Sequence, residues 1–362
     1  MRTLPLRTTA ATLLVALAPL GAAAVAQGTP PVRRTLEGND VAIYNLAGRL
    51  RVQRGTGDRV VVAVELAGTD ASRLRVESGP IRGSSTLRVI YPADRIHFEG
   101  MGRGSSTTLR VRDDGTFSDN GDRGDRGDRS RDRVEISGRG GGLDAYANLT
   151  VSVPPGKRVR LYLAVGEVNV TDVNGDLLVD ASAANVTATR TRGSLNVDTG
   201  SGDVRVSDAD GDLNVDTGSG TVDLTRVKGG VLKVDTGSGS VTSDGIEATR
   251  LDVDVGSGSI RLRGVRAYDQ RLDSGSGDVD VALVGDVRSM VIDTGSGEVT
   301  LRVPPSLGAE LEIDTGSGGI DTDMPLTVHR KGRDHLSGRL GDGEGRIRID
   351  TGSGGVRLLR AS

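Results

Sequence analysis

The chain has 362 residues, 26% of them charged and 35% apolar, which is long enough for one or two domains of ordinary soluble composition. Its 46 basic and 49 acidic residues give a formal net charge of −3, which argues against a nucleic-acid partner. The absence of cysteine excludes disulfide bonds and a cysteine-linked lipid anchor. With 54 glycines, five Tyr, two Phe and no Trp, the composition favours a narrow core of small side chains.

The first 26 residues have the pattern of a secretory signal peptide. Arg2 and Arg7 precede an apolar run over 10–26, which ends in the small residues typical of a cleavage site. We therefore expect an exported chain that starts at Gln27 and resides in the periplasm, at the cell surface or in the medium. No later stretch approaches the roughly 18 apolar residues of a membrane span, so no transmembrane segment is expected in the mature chain.

Residues 27–112 are predicted to form an N-terminal region of β-strands. Short stretches over 41–44, 60–64 and 87–90 alternate or run apolar between Gly, Asp and Ser turns, but no repeated motif connects them. We expect irregular first coils, or a cap over one end of the repeats that follow.

Residues 113–142 are predicted to form a disordered loop of mixed charge. The run over 119–133 contains no apolar side chain, and its five Asp and five Arg cancel in charge. Such a segment buries nothing that would offset the entropy lost on ordering.

From 143 to 362 the chain is organised around the repeat Asp-Thr-Gly-Ser-Gly. Up to Asp314 the copies follow each other at intervals of 18 to 21 residues, which indicates one small unit stacked on itself. Six copies are identical and two, at Asp254 and Asp273, are near copies. The repeat aspartates are Asp198, Asp216, Asp235, Asp254, Asp273, Asp293, Asp314 and Asp350.

Apolar and polar residues alternate around each copy, which is typical of strands and does not fit a helical period. The alternation places Leu195, Val197 and Thr199 on a buried face and Asp198 on the solvent face. One unit is too small to bury its own apolar face, whereas stacked units bury a continuous column. We therefore predict an all-β fold, a single-stranded β-solenoid (β-helix), right-handed, with about 18–21 residues per coil.

The repeat is interrupted between Asp314 and Asp350. This segment contains a basic cluster over 329–333 and is predicted to be an irregular coil or an inserted hairpin. The Asp350 coil is then expected to close the stack.

The signal peptide, the Val-Pro-Pro-Gly turn at 153–156, the repeats and the glycine-rich stretch 336–345 together resemble the bacterial putative-adhesin family of β-strand repeat proteins. The resemblance covers Val32 to Leu359. It implies a β-solenoid at or outside the cell envelope, in a family of domains of unknown function, and it brings no catalytic residues. The charged run over 119–133 departs from the family pattern.

The repeat aspartates are the candidate functional residues. Asp-Thr-Gly also occurs in aspartic proteases, but there one carboxylate pair shares a proton, whereas stacked copies would form a file at strand spacing, about 4.8 Å. In a structural interpretation each Asp accepts N–H groups of its own turn, Thr and Ser form ladders, and Gly adopts positive φ. In a functional hypothesis the eight aspartates bind Ca²⁺ weakly, although the nonapeptide of calcium-binding β-rolls is absent.

The three histidines, His97, His329 and His335, offer no metal site with a recognisable third ligand. The last two lie in the irregular basic segment, where we expect solvated loop residues.

These patterns predict a non-enzymatic exported protein, an adhesin or an envelope-associated binding or scaffold protein that acts by multivalent contacts along a repeat wall. Its partner would be an extracellular or envelope polymer or protein, with end-to-end self-association as a further possibility and no cofactor other than Ca²⁺. A carbohydrate-active β-helix enzyme, a polysaccharide lyase or hydrolase, is the alternative, but the aromatic platforms usual in such grooves are lacking. A periplasmic scaffold or sensor is the third interpretation.

Overall fold

The structure, a computed structural model, describes residues 31–117 and 131–361, so the predicted signal peptide lies outside the described residues. The described residues are all-β, with short 3₁₀ turns at Ala71–Arg73 and Glu99–Met101. The strands, in chain order, are β1 Val32–Leu36, β2 Asp40–Arg54, β3 Val60–Ala67, β4 Arg75–Ile81, β5 Ser84–Ile90, β6 Arg95–His97, β7 Ser106–Arg112, β8 Arg131–Ser137, β9 Leu143–Asp144, β10 Tyr146–Val153, β11 Lys157–Thr171, β12 Gly175–Thr189, β13 Leu195–Ser201, β14 Val204–Ser207, β15 Leu213–Ser219, β16 Val222–Thr236, β17 Val241–Val255, β18 Ile260–Ser274, β19 Val279–Leu283, β20 Ser289–Thr294, β21 Val299–Val303, β22 Ala309–Thr315, β23 Ile320–Thr322, β24 Thr327–Lys331, β25 His335–Leu340, β26 Gly345–Thr351 and β27 Val356–Arg360.

Most strands belong to one β-solenoid-like stack of coils with parallel pairing between neighbouring coils. Equivalent repeat positions face each other: Val179 pairs with Val197, and Val197 pairs with Val215. All three side chains are fully buried, as predicted from the alternation. Burying one such side chain contributes about 1.5–3 kcal/mol, so the column of stacked apolar residues is the core of the fold. The handedness and the coil length stay predictions.

The order of coils in space differs from their order in the sequence at the C-terminal end. Strand β26 pairs with β20 on one side and with β22 on the other, so Asp350 lies between Asp293 and Asp314. The prediction that the Asp350 coil closes the stack is therefore wrong. The last coil of the chain is inserted one layer inward, which gives its strands a partner on each side.

The N-terminal end shows the same arrangement. Strand β2 forms a regular coil that pairs with β11 on its inner side. On its outer side β2 pairs with β5 and β10, which both come later in the chain. The region predicted as irregular first coils or a cap thus contains one regular coil, with a layer of later strands outside it.

Along one half of the coils, antiparallel hairpins form both ends of the stack. At the first end β4 pairs antiparallel with β5, and at the second end β25 pairs antiparallel with β22 and with β24. The interrupted segment before Asp350 is therefore an inserted hairpin, one of the two predicted possibilities. The outermost strands carry Pro80 in β4 and a register shift between Val328 and Arg330 in β24, both of which hinder pairing with a further strand.

A second sheet with the order β7-β8-β6-β9 corrects the predicted disordered loop over 113–142. Residues 118–130 of that segment lie outside the described residues. The C-terminal part of the segment is ordered, because β8 pairs antiparallel with β7 and parallel with β6. In the N-terminal part of the segment, Phe117 is buried. The apolar residues Val134 and Ile136 are the physical reason, since both are buried in this sheet.

Within the described ranges, no helix is long and apolar enough to cross a membrane.

The two glycines of each repeat are required mainly by close approach between coils. A Cβ atom at Gly256 would lie 2.3 Å from the carbonyl oxygen of Gly237, and one at Gly258 would lie 1.8 Å from that of Gly239. None of these four glycines has a positive φ, although Gly202 in an earlier coil has a φ of 133°. The prediction that glycine serves positive φ is therefore wrong for these coils, because the missing side chain is what lets the backbones stack.

We expect Gly258→Ala to lower the free energy of unfolding by about 1–3 kcal/mol, since the added methyl group overpacks a backbone contact. Gly79→Ala is the matched control, because a Cβ atom there meets nothing within 4 Å and φ is not positive. The control should be neutral or stabilising by about 0.4–1 kcal/mol. Urea denaturation of both variants measures the difference, and equal stabilities would contradict the close-approach account.

Candidate functional site

The repeat aspartates form one continuous file on the outside of the coil stack. Each one pairs in register with the Asp of the neighbouring coil, so neighbouring carboxylates are separated by about one strand spacing, 4.8 Å. The buried Asp180 also belongs to the file, although its coil reads Asp-Ala-Ser-Ala-Ala and lacks the motif. Its position 18 residues before Asp198 is the signal that identifies it. In spatial order the file contains Asp180, Asp198, Asp216, Asp235, Asp254, Asp273, Asp293, Asp350 and Asp314.

Aromatic rings continue the file at its first end. Tyr162 pairs with Asp180, and its ring stacks on Tyr44 with centroids 4.4 Å apart. Phe117 packs edge-on against both rings. Burial and the neighbouring Tyr162 raise the pKa of Tyr44 to about 12, so this end carries no negative charge near neutral pH.

A histidine ends the file at the other side. His335 in β25 pairs with Asp314, and its Nδ1 lies 2.7 Å from Asp314 Oδ1. The prediction of a solvated loop residue is therefore wrong for His335, which is partly buried in a strand, whereas His329 is exposed in β24. The sequence offered no signal for this contact, because it depends on the inserted hairpin.

Burial and neighbouring like charges raise the pKa of two carboxyl groups in the middle of the file, those of Asp254 and Asp293. For Asp254 the first cause is burial, followed by the charges of Asp273 and Asp235. The pKa of Asp293 is raised in the same way, by burial and then by Asp273 and Asp350. Nearby cations partly offset this repulsion, since Arg271 Nη2 lies 3.2 Å from Asp273 Oδ2.

The threonine of the motif, or the serine that replaces it, ties the repeat turn together. Thr351 Oγ1 accepts the N–H of Gly354 at 3.0 Å and donates to the carbonyl oxygen of Gly297 in the adjacent coil at 3.3 Å. Ser274 makes the equivalent pair of bonds. In these coils the acceptor of the turn N–H group is the buried Thr or Ser next to Asp, whereas the prediction assigned this role to Asp. The Asp carboxylate lies on the outer face.

A second column of charges sits at a corner of the coils and is internally neutralised. Arg190 forms two hydrogen bonds with Asp172, at 2.6 and 2.9 Å, and Arg226 binds Asp208 with the same geometry. All four residues have positive φ, between 51° and 57°. The hydrogen bonds from arginine hold the pKa of Asp172 and Asp208 below the usual range. The corner column therefore contrasts with the file, whose carboxylates face one another.

A third column on the outer wall repeats Thr, Arg and Asp in successive coils. Asp223 lies 3.5 Å from Arg205 on one side and accepts a hydrogen bond from Thr242 on the other. The Thr-Arg-Asp pattern of this wall column is regular only when the coils are taken in their spatial order. That order is Thr187, Arg205, Asp223, Thr242, Arg261, Asp280, Thr300, Arg357 and Asp321.

Two aromatic rings meet at a cavity of about 530 Å³ beside the second sheet. Phe98 and Tyr146 pack edge to face, 5.3 Å apart, and Glu99 and Asp144 contribute carboxylates to the lining. Hydrogen bonds from Thr69 lower the pKa of Asp144, which is the opposite of what a general acid needs.

In residues 31–117 and 131–361, no three carboxylate or imidazole side chains converge to enclose a metal ion. The file presents its carboxylates in a line, so weak Ca²⁺ binding by the repeat aspartates stays a prediction.

We expect Asp254→Asn to raise the unfolding temperature at pH 7 and low salt. Because the pKa of Asp254 is raised above 3.8 on folding, its stabilising contribution is complete below that pH and is lost as pH rises through the folded pKa. Asn removes the charge, so the gain should shrink as pH falls towards 3.8 or as salt screens the file. Thermal melts across this pH range provide the measurement.

Asp208→Asn is the matched control, with the opposite sign. Arg226 lowers the pKa of Asp208, so its contribution is present at pH 7 and is lost as pH falls through the lowered pKa. Asn tolerates the left-handed backbone there, so a lower unfolding temperature at pH 7 reports the lost ion pair. A destabilised Asp254→Asn variant at pH 7 would contradict the repulsive file.

Comparison with known proteins places the repeats in a family. No curated protein matches the chain. A solved structure, a "putative cell adhesion protein" from Clostridium sporogenes, is 10% identical and covers 91% of this chain and 100% of its own, but its TM-score of 0.19 supports no argument. The model of the Toastrack DUF4097 family matches residues 147–359, more than half of the chain, and confirms the resemblance seen in the repeats. The chain belongs to the Toastrack DUF4097 family.

Proposed function

We propose that this protein is an exported, non-enzymatic binding protein, an adhesin or envelope-associated scaffold, that contacts an extracellular or envelope polymer or protein through repeated positions on its coil wall. The match to the Toastrack DUF4097 family supports a binding role at a coarse level. Export rests on the signal-peptide pattern of residues 1–26. The winding is proposed to be right-handed, with about 18–21 residues per coil.

The wall column of Thr, Arg and Asp is the observation that supports multivalent contact best. It presents the same triplet three times, one triplet every three coils, so equivalent groups recur at about 14 Å. Arg205, Arg261 and Arg357 are the exposed cations of the three triplets. Three equivalent weak contacts held on one rigid wall add up to avidity without a deep pocket.

The geometry of the carboxylates supports binding over catalysis. File neighbours stand side by side on one surface, whereas a glycosidase places two carboxyl groups on either side of the scissile bond. The cavity beside Phe98 offers an aromatic lining that the sequence alone did not reveal, but its Asp144 is held ionised by Thr69. A carbohydrate-active enzyme is therefore the second candidate, and a periplasmic scaffold or sensor the third.

End-to-end self-association is the weaker partner proposal. Both ends of one half of the stack finish in antiparallel hairpins, and their outer strands carry Pro80 or a register shift after Val328. Such edges hinder the addition of another strand.

We expect the mature chain, residues 27–362, to bind at least one extracellular or envelope polysaccharide on an array without cleaving it. Each bound polymer is then checked by size-exclusion chromatography for shortening. Cleavage would contradict the non-enzymatic proposal in favour of a lyase or hydrolase, and binding to no polymer would direct the search to envelope proteins.

We expect affinity for such a polymer to fall stepwise as triplet arginines are removed. Arg261→Ala alone should lower the affinity a few-fold. The triple variant Arg205→Ala/Arg261→Ala/Arg357→Ala should lower it far more than any single change, because avidity multiplies contacts. Arg250→Ala, which breaks an exposed ion pair with Asp252, is the control. Equal affinity of the triple variant and the wild type would rule out the wall column.

Weak Ca²⁺ binding by the file is the remaining proposal from the sequence. Calorimetric titration should show a small heat with millimolar affinity, and Ca²⁺ should raise the unfolding temperature by relieving carboxylate repulsion. Asp254→Asn/Asp293→Asn should weaken both effects. No heat and an unshifted unfolding temperature in the wild type would exclude the site.

A further inference from the structure

The hairpin that interrupts the repeats projects a cluster of positive charge. We define the basic hairpin as residues 327–334, which comprise β24 and the turn that leads into β25. Every residue in it is exposed. It carries Arg330, Lys331 and Arg333 together with His329, against one acid, Asp334. With histidine neutral its net charge is therefore +2, on a chain whose formal net charge is −3.

These cations lack the partners that arginines have elsewhere on the coils. Arg190 and Arg226 are each held by a carboxylate in the neighbouring coil. In the part of the chain that the structure describes, no carboxylate forms an ion pair with Arg330, Lys331 or Arg333. Their donors are therefore available to an anion without breaking an existing contact.

The shape of the basic hairpin fits an extended partner. Arg330 and Lys331 are the last two residues of the five-residue strand β24, and Arg333 lies in the turn after it, so the three cations span about 10 Å of chain at about 3.3 Å per residue. An exposed strand offers no concave pocket for a small anion. A linear chain with repeated anionic groups can contact several of these cations at once.

Two other occupants fit the hairpin less well. An incoming peptide strand would need a regular edge, but the register of β24 shifts between Val328 and Arg330. A membrane surface would need bulky apolar or aromatic side chains to insert, and Val328, 48% exposed, is the one large apolar side chain that the hairpin exposes.

We propose that the basic hairpin binds an anionic polysaccharide, with Arg330, Lys331 and Arg333 contacting the carboxylate groups of successive sugar units. The proposal rests on the polymer-binding function above, and it adds a second contact surface to the wall column and names the chemical class of the polymer. Planar guanidinium groups match carboxylates in two-point contacts, which a neutral polymer does not offer.

The test measures binding of the mature chain to immobilised polygalacturonate and to neutral dextran by biolayer interferometry, at low and at physiological salt. We expect binding to polygalacturonate that weakens with salt, and a loss of about tenfold or more in affinity for Arg330→Gln/Lys331→Gln. Arg190→Gln/Arg226→Gln is the matched control, because it removes the same number of cations from the paired corner column. An unchanged unfolding temperature of the hairpin variant shows that the coils remain folded.

Each outcome separates this inference from the proposed function. Binding of polygalacturonate that the hairpin variant leaves unchanged overturns the inference alone, whereas binding to no polymer overturns the inference and leaves only the protein-binding form of the proposed function. Preference for phosphatidylglycerol vesicles over polygalacturonate would overturn it in favour of a membrane surface. A low-salt dimer that the hairpin variant dissociates would overturn it in favour of the carboxylate file of a second copy.

Discussion

Close parallel stacking of backbones, coil upon coil, is the constraint on which the structure depends. A methyl group at Gly258 would lie 1.8 Å from a carbonyl oxygen of the next coil, so the repeat glycines are what permit the hydrogen-bonded spacing. Once the backbones stack in register, identical positions must form columns. The buried column of Val197 and its equivalents supplies the core, and the buried Thr351 and its equivalents join turn to turn.

Because the coils stack in register, charged residues also form columns, and these columns show three different arrangements of charge. At the corner, Asp172 and Arg190 alternate and neutralise each other. On the wall, Thr, Arg and Asp recur as triplets. Along the file, burial and the facing carboxylates raise the pKa of Asp254, which costs stability near neutral pH. Arg271 beside Asp273 offsets part of this repulsion, and a bound cation would offset more of it.

Much of this could be predicted from the sequence, because local alternation and a fixed repeat interval determine both the strands and the register. Asp198 faces outward and Val197 inward, as the parity required. The order of coils could not be predicted, since inserting β26 between β20 and β22 creates the same kind of pairing as simple succession would. The contact of His335 with Asp314 depends on that tertiary choice. The wall triplets become visible only in the spatial order, where Arg357 precedes Asp321.

Disulfide trapping tests the central claim, the inserted last coil, most directly, because the chain has no cysteine of its own. In the variant Asp293→Cys/Asp350→Cys the two Cα atoms lie in adjacent strands, about 4.8 Å apart, within the range of a disulfide. In Asp293→Cys/Asp314→Cys they are about 9.6 Å apart, two strand spacings, which is beyond that range. The account predicts that mild oxidation of the folded protein crosslinks the first variant and not the second, as read by intact mass. Crosslinking of the second variant alone would show coils stacked in sequence order and would contradict the account.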